Sequence, residues 1–381
     1  LVVREIFEVL YSPVKAFRKI IEKPDLRGVL IILALVVSST VAVQYVVSSR
    51  LFLENRAPEN DDWTESLTNQ HNWLSNGLLV LDEMDYQMGN ANGNHSIASL
   101  ITNEASNLTM KLIDISPINN TEESRYTELF FWIKWTRADA SPPNSGTLKL
   151  FSNSEDSYFT KDITGYLGLN GEWTNTTLNI GPDQDWTSHN SSDWQSITGL
   201  EFSLSWSSSA NLTMKIDGLF FRKFSSPVYT GEFSSLILLP VIVQGMITFA
   251  INWVLWSGIL ILVGRLFQED LGRWNVFFII IGYTFITIFV YTIVNGLLIS
   301  SLPPLDLPLD TKAASALINE RWVPMLAYRL IGFVQLIGEI WIAALGAVVV
   351  RLLRETTWGR AATIAAVTFG IRFLLNSFLG I

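Results

Sequence analysis

Five runs of mostly apolar residues, at 27–49, 243–266, 276–300, 324–350 and 361–380, constrain this chain more than any other feature. A hydrocarbon core about 30 Å thick takes roughly 20 apolar residues per helix, and only helices or closed barrels satisfy their own backbone there. The runs predict five membrane-spanning α-helices. The stretch 233–266 is too long for one upright span, and the part before Gln244, which holds Pro240, is expected as a separate short helix at the outer interface. The first run has basic flanks and is long enough to persist as a signal anchor.

Between the first two spans the composition changes. Residues 54–232 hold 24 Asp and Glu against 10 Lys and Arg, a net charge of −14, whereas the whole chain carries −9. An acidic, Ser/Thr/Asn-rich middle between weakly basic apolar ends reads as one water-soluble domain inserted into a membrane scaffold. The expected divisions are 1–26, 27–53, 54–232 and 233–381. The chain has no cysteine, so no disulfide staples the domain and no thiol serves as nucleophile or ligand. A domain of this length buries enough apolar surface to fold without staples.

Arg4, Lys15, Arg18, Lys19, Lys23 and Arg27 precede the first span. Arg265 and Arg273 follow the second, and Arg351, Arg354 and Arg360 follow the fourth. Loop basic residues stay cytoplasmic, which predicts a cytoplasmic N-terminus, with residues 54–232 and the C-terminus outside a cell membrane. Trp253, Trp274, Trp322 and Trp358 near span ends suit interfacial belts, although Trp253 equally suits the bundle interior. Arg329 is close enough to the outer end of its span to snorkel. Ahead of the first span, Ile6, Phe7, Val9, Leu10, Val14, Phe17, Ile20 and Ile21 alternate with charges at helical spacing. This basic amphipathic segment is expected to lie in the cytoplasmic interface, or else to dock a cytosolic partner.

Charges inside spans call for partners. Glu339 lies 12 residues before Arg351 and Arg372 lies 12 residues after Arg360. At 1.5 Å per residue both sit about 18 Å from the cytoplasmic helix ends, and Asn252 and Thr287 come out at similar depth. A Glu339–Arg372 ion pair completed by Asn252 and Thr287 is therefore expected. It reads either as a structural lock or as part of a proton or solute path. The lock is preferred, since transport sites use interrupted helices and no break is visible in these spans.

The middle domain shows short alternating runs separated by turn residues, the pattern of an all-β sandwich. The clearest are 129–135, 147–151, 176–180, 200–206 and 211–221. In the last, Leu212, Met214 and Ile216 share a face, and Asp217-Gly218 is expected to shift the register as a bulge does. The progression GEWTNTTLNIGPDQDW, DWQSITGLEFSLSW and NLTMKIDGLFFRKF resembles the C-terminal half of a galactose-binding-like jelly roll, the sandwich of many carbohydrate-binding modules. That resemblance implies that Trp135, Trp173, Trp186 and Trp206 pack in the core, and that Trp194 or Tyr158 on loops stacks on sugar. It also implies a structural calcium ion, with Asp217 as its best-placed ligand; turn formation beside Gly218 is the alternative role. Sequons at Asn94, Asn107, Asn119, Asn175, Asn190 and Asn211 are all confined to the domain expected outside, which makes them candidates for N-linked glycans.

The membrane segments resemble another family. SPVKAFRKIIEKPDLRGVLIILAL and LGRWNVFFIIIGYTFI, with Gly282-Tyr283, are similar to the entry segment and third-helix region of prokaryotic Yip-domain proteins. The resemblance implies a five-span bundle with a cytoplasmic N-terminus, of a family whose members are not known as enzymes. The large insert after the first span departs from that family.

No catalytic arrangement stands out. His71, His95 and His189 lack metal-ligand spacing, and no phosphate-cradling loop, HExxH or Gly-x-Ser-x-Gly is present. Asp183-Gln184-Asp185 falls in a turn of the sandwich, and Glu122-Glu123 are neighbours without a pocket context. The acidic exterior excludes nucleic acid. The leading expectation is a non-catalytic membrane scaffold or accessory subunit on an archaeal or bacterial surface. Its jelly roll would bind glycan, a glycosylated surface layer or a partner protein. The alternative is a transporter or channel-like component using the Glu339/Arg372 layer.

Overall fold

The computed structural model describes residues 2–67, 72–87, 93–121, 126–269, 271 and 273–379, the side chains of 376–379 apart. His71, Glu122 and Glu123 lie outside the described residues. The chain forms two compact units, one of residues 1–52, 226–305 and 316–381, the other of residues 53–225 and 306–315.

The first unit is helical. Its elements are α1 (Val2–Tyr11), α2 (Pro13–Glu22), α3 (Leu26–Arg50), α4 (Leu238–Leu266), α5 (Trp274–Gly282), α6 (Ile286–Ser300), α7 (Thr311–Arg321, which begins in the other unit), α8 (Leu326–Arg354) and α9 (Trp358–Leu379). Among the described residues four segments are long and apolar enough to cross a membrane: Leu26–Arg50, Phe233–Leu266, Trp274–Ser300 and Leu326–Arg354. The chain thus has the makings of a multi-pass membrane protein. The fifth expected span is a 22-residue helix, α9, that packs on α8 and α4 but is not among those four.

Two sequence expectations differ from the structure. Residues 233–242 form no separate interfacial helix: a π turn at Phe233–Ile237 runs straight into α4, which carries Pro240. The third apolar segment is not unbroken. A 3₁₀ turn at Tyr283–Phe285 divides it, buried on all three residues. The turn follows from a close approach: Gly28 of α3 lets the Tyr283 ring lie on its backbone, and the phenol donates to Asp25 O at 2.8 Å. A methyl at Gly28 would sit 2.0 Å from the Tyr283 oxygen. The amphipathic start packs against the other helices. α1 and α2 fold onto the bundle with Ile6, Val9, Ala16, Phe17 and Ile20 inside its core, and Glu8, 3 % exposed, accepts from Lys19 Nζ at 2.7 Å. Of the large apolar groups there, Val3, Phe7 and Tyr11 remain exposed.

The second unit is an antiparallel sheet of β1 (Leu51–Ala57), β2 (Asn72–Ser75), β3 (Leu78–Asp82), β4 (Ser96–Ile113), β5 (Glu128–Arg137), β6 (Ser145–Ser152), β7 (Ser154–Asp162), β8 (Thr174–Asn179), β9 (Thr187–His189), β10 (Ile197–Ser225) and β11 (Leu305–Leu307). The long strands β4 and β10 pair along their length and bend together where the register slips between Ser205 and Leu212. One half of this ribbon continues through β6, β7 and β9, and the other through β5 and β8. The halves face each other across one core. Phe131 of β5 meets Phe202 of β10 edge-on at 4.9 Å, and Trp135 lies 6.2 Å from Trp206. Alternation explains the layers: Leu200, Phe202, Leu204 and Trp206 point inward, as do Leu212, Met214 and Ile216, while their neighbours point out. Asp217-Gly218 does shift the register, with Gly218 at a φ of 55° that only glycine adopts without strain.

Candidate functional site

Three clusters carry chemistry, one in the helical unit and two in the sheet. In the bundle, Arg372 of α9 is 4 % exposed and pairs with Glu339 of α8 through Nη1 to Oε2 and through Nη2 to Oε1 at 3.3 Å. The same Nη2 donates to Asn252 Oδ1 of α4 at 2.9 Å, and Asn252 Nδ2 donates back to Thr248 O. Tyr291 of α6, unforeseen in the sequence, brings its hydroxyl to 3.5 Å from Glu339 Oε1. The guanidinium also stands 5.7 Å from the Trp256 ring. Thr287 does not join: its hydroxyl donates to Thr284 O, one turn back along its own segment, at 3.0 Å. Trp253 turns inward, donating to Phe278 O at 2.8 Å, and Trp322 is buried against Pro303 O, while Trp274 and Trp358 stay exposed.

The outer face of the first sheet half carries a row of opposed charges and a pair of stacked rings. Cross-strand register sets Lys111, Glu201, Lys149 and Thr160 side by side on β4, β10, β6 and β7. Lys149 Nζ donates to Glu201 Oε1 at 2.8 Å, and Lys111 pairs with Glu155. In the next row Gly199 lies beside Phe151, followed by Tyr158 and His189. Tyr158 is half-buried and stacks on His189 with centroids 4.7 Å apart, and Lys149 Nζ lies 5.4 Å above its ring. His189 Nε2 is 3.2 Å from Thr160 Oγ1. Gly199 keeps this row low: a methyl there would meet Leu112 O at 2.6 Å. At the end of the row opens a cleft of about 440 Å³ walled by Ile113, Phe151, Asn153, Glu155 and Thr198.

The aromatic expectations divide. Tyr158 sits on this face, whereas Trp194 is 7 % exposed and stacked on Phe159 at 3.9 Å inside the core, so it presents no ring to a ligand. Trp135 and Trp206 are core and Trp186 packs against it. Trp173 is not core; half-buried on the opposite outer face, it donates to Asp85 Oδ1 at 2.8 Å. Burial raises the Asp85 pKa, yet hydrogen bonds from Lys215, Lys134 and Trp173 outweigh it and hold the carboxyl well below the usual range.

The third cluster surrounds Asp217. Its Oδ2 accepts from Gln87 N at 2.5 Å and its Oδ1 lies 3.3 Å from Thr64 Oγ1, which donates to Asp61 Oδ1 at 2.5 Å. Asp61 Oδ2 accepts from Gly93 N. Burial pushes the Asp217 carboxyl up to about 7, and burial also raises Asp61. Oxygen donors suit calcium, but that ion takes roughly six to eight, and here two carboxylates and a hydroxyl have their oxygens occupied by protein donors. As arranged, the set does not fit calcium; Asp217 of β10 ties Thr64, and through it Asp61, to Gln87. Among the described residues no three His, Cys, Asp or Glu are gathered for a metal. Nearby, His95 Nδ1 lies 2.7 Å from Glu65 Oε2, and that hydrogen bond raises the His95 pKa. All six sequon asparagines are exposed.

No protein-family model and no curated protein sequence matches the chain. Solved structures match part of the chain. One is a family 11 carbohydrate-binding module from Clostridium thermocellum in complex with a β-1,3-1,4-mixed-linked tetrasaccharide, at 12% identity over 44% of this chain and 94% of that one, with a TM-score of 0.27. A family 30 carbohydrate-binding module of a C. thermocellum cellulosomal cellulase matches at 16% identity over 45% of this chain and 96% of that one, with a TM-score of 0.30. An exo-β-agarase matches at 11% identity over 43% of this chain and 25% of that one, with a TM-score of 0.28.

Proposed function

We propose that this chain is a non-catalytic, multi-pass membrane protein whose jelly-roll-like sandwich binds glycan across the outer face of β4, β10, β6 and β7. The observation that carries this reading is the Tyr158–His189 stack set beside the Lys149–Glu201 pair and the adjoining cleft. A sugar ring presents an apolar C–H face and an edge of hydroxyls, so it needs a ring to stack on and fixed donors and acceptors beside it. Because the charges pair with one another, the face as a whole favours a neutral chain over a charged one. A protein partner on the same face is the runner-up.

In this reading the bundle, Yip-like, is an anchor that packs against another membrane component. Its N-terminus faces the cytoplasm, while the sandwich and C-terminus lie outside, following the basic loops. α9 is the fifth span, and the exposed sequons carry N-linked glycans. The Glu339–Arg372 pair acts as a lock between α4, α8 and α9.

The test is a glycan-array screen of the full chain in nanodiscs, followed by titration of any hit against Tyr158→Ala and Lys149→Met. Each substitution is expected to weaken binding at least tenfold without changing the unfolding temperature. Absence of any sugar hit, or an unaltered affinity in Tyr158→Ala, rejects the reading.

A further inference from the structure

The polar layer of the bundle does not end at the ion pair. On three of the four contributing helices the residues that meet at the layer are continued, at helical spacing and toward one end of the bundle, by further polar side chains. On α4, Asn252 is preceded by Thr248 and Gln244, the last within 3.5 Å of Thr248 Oγ1. On α8, Glu339 is preceded by Gln335, and on α6 Tyr291 is followed by Asn295. Residues four apart lie one above the other on a single helix face. Since Asn252, Arg372, Glu339 and Tyr291 are bonded to one another, the faces that carry them converge, and so do the ladders. All three ladders run toward the end of the bundle at which α4 and α8 begin and α6 finishes. On the opposite side of the layer, α4 continues with Trp256, Leu260 and Val263, all buried among apolar neighbours, and the hydroxyls of Thr287 and Thr368 are spent on backbone carbonyls of their own segments, Thr284 O and Ile364 O.

Two atoms show what these ladders hold. Arg372 Nε and Asn295 Oδ1 are buried without any hydrogen-bond partner, one a donor and the other an acceptor. Glu339 keeps 20 % of its side-chain surface exposed. In hydrocarbon an unpaired donor, an unpaired acceptor and a partly bare carboxylate would each be costly. Water meets all three needs at once, since it both donates and accepts, and a neutral ion pair attracts neither cation nor anion in particular. We infer that Gln244, Thr248, Asn295 and Gln335 line a one-sided aqueous vestibule in the bundle, which ends on the Glu339–Arg372 pair as its gate. This inference is independent of glycan binding by the sandwich.

The chain has no native cysteine, so single cysteines can be placed in the full-length protein and probed with a membrane-impermeant thiol reagent in liposomes. Thr248→Cys and Gln335→Cys are expected to react at least tenfold faster than Ile247→Cys and Ile337→Cys. Those isoleucines are 50% and 60% exposed on the protein surface, but to lipid. Ser257→Cys, one turn past the layer and fully buried, is expected to stay unreactive until Glu339→Gln is added. Thr248→Cys reactivity in that same background checks that the vestibule is intact. Labelling of the isoleucine positions at the rate of Thr248→Cys and Gln335→Cys, or no labelling of either polar position, overturns the vestibule. Unchanged silence of Ser257→Cys with Glu339→Gln overturns the gate.

Discussion

Asp217 shows how a single residue turns burial into a pH dependence. Its folded pKa is raised to about 7 from an ordinary 3.8, chiefly by burial. The folded state thus keeps a proton that the unfolded chain gives up. Stability is therefore greatest below about pH 4, falls as the pH rises, and levels off above about pH 7. His95 acts in the same direction: the stability from its bond to Glu65 is full below about pH 6.5 and is lost as the pH climbs through its raised pKa. Unfolding temperatures of the full chain between pH 4 and 8, read by near-ultraviolet circular dichroism, should fall with pH, and Asp217→Asn should flatten the fall. Calcium should leave the curve unchanged; a rise on adding calcium would mean that the Asp61/Asp217 pair is a cation site after all. Tyr158 and Trp194 make a second contrast. Both were legible as aromatic residues of the sandwich, but their exposure was not, because Trp194 sits where a loop folds over Phe159. Trp194→Ala should cost about 3–5 kcal/mol of stability, as a large core truncation does. Tyr158→Ala should stay within about 1 kcal/mol, which chemical denaturation can resolve.

Among the elements, the third apolar segment departs most from its sequence. Its hydropathy is that of one uninterrupted span, yet α5 and α6 are joined by a 3₁₀ turn. The cause lies on another element: Gly28 of α3 admits the Tyr283 ring, and Gly282 lies against Val29, where a methyl would come within 2.6 Å of the valine. Two glycines hundreds of residues apart thus fix one helix–helix approach, in the manner of small residues at membrane interfaces. Gly28→Leu should displace Tyr283 and free its hydroxyl from Asp25 O. The expected result is a lower unfolding temperature in detergent and new tyrosine accessibility to tetranitromethane; an unaltered melting curve would rule out the contact. The strands behaved differently. Alternation at 129–135, 147–151 and 200–206 corresponds to β5, β6 and β10, since a period of two survives any pairing. That residues 197–225 form one bent strand shared by both halves was not legible, because a bend is set by partners and not by pattern.

At the scale of the whole molecule, the ion pair tests how the bundle is held. Glu339→Leu or Arg372→Met alone leaves a buried charge unpaired and should cost about 3–5 kcal/mol, whereas the double substitution should recover most of the loss. Thermal unfolding of the four proteins in the same detergent measures the cycle, and additive losses would exclude a lock. Helical rise alone brought Glu339, Arg372 and Asn252 to one depth, because 1.5 Å per residue is a property of any α-helix. It did not reveal Tyr291, and it wrongly included Thr287, since depth says nothing about azimuth. The division into apolar helices and an acidic β domain, the strand faces and the shared level of Glu339, Arg372 and Asn252 along their helices were all legible in the chain itself. All of these are periodicities or sums along the chain. Only the packing of distant segments decided which aromatic residues stayed open to solvent, the docking of α1 and α2 on the bundle, and the 3₁₀ turn at Tyr283. It also decided the pairing of Asp217 with Asp61. Each of these depends on which distant segment packs alongside, and no local pattern carries that.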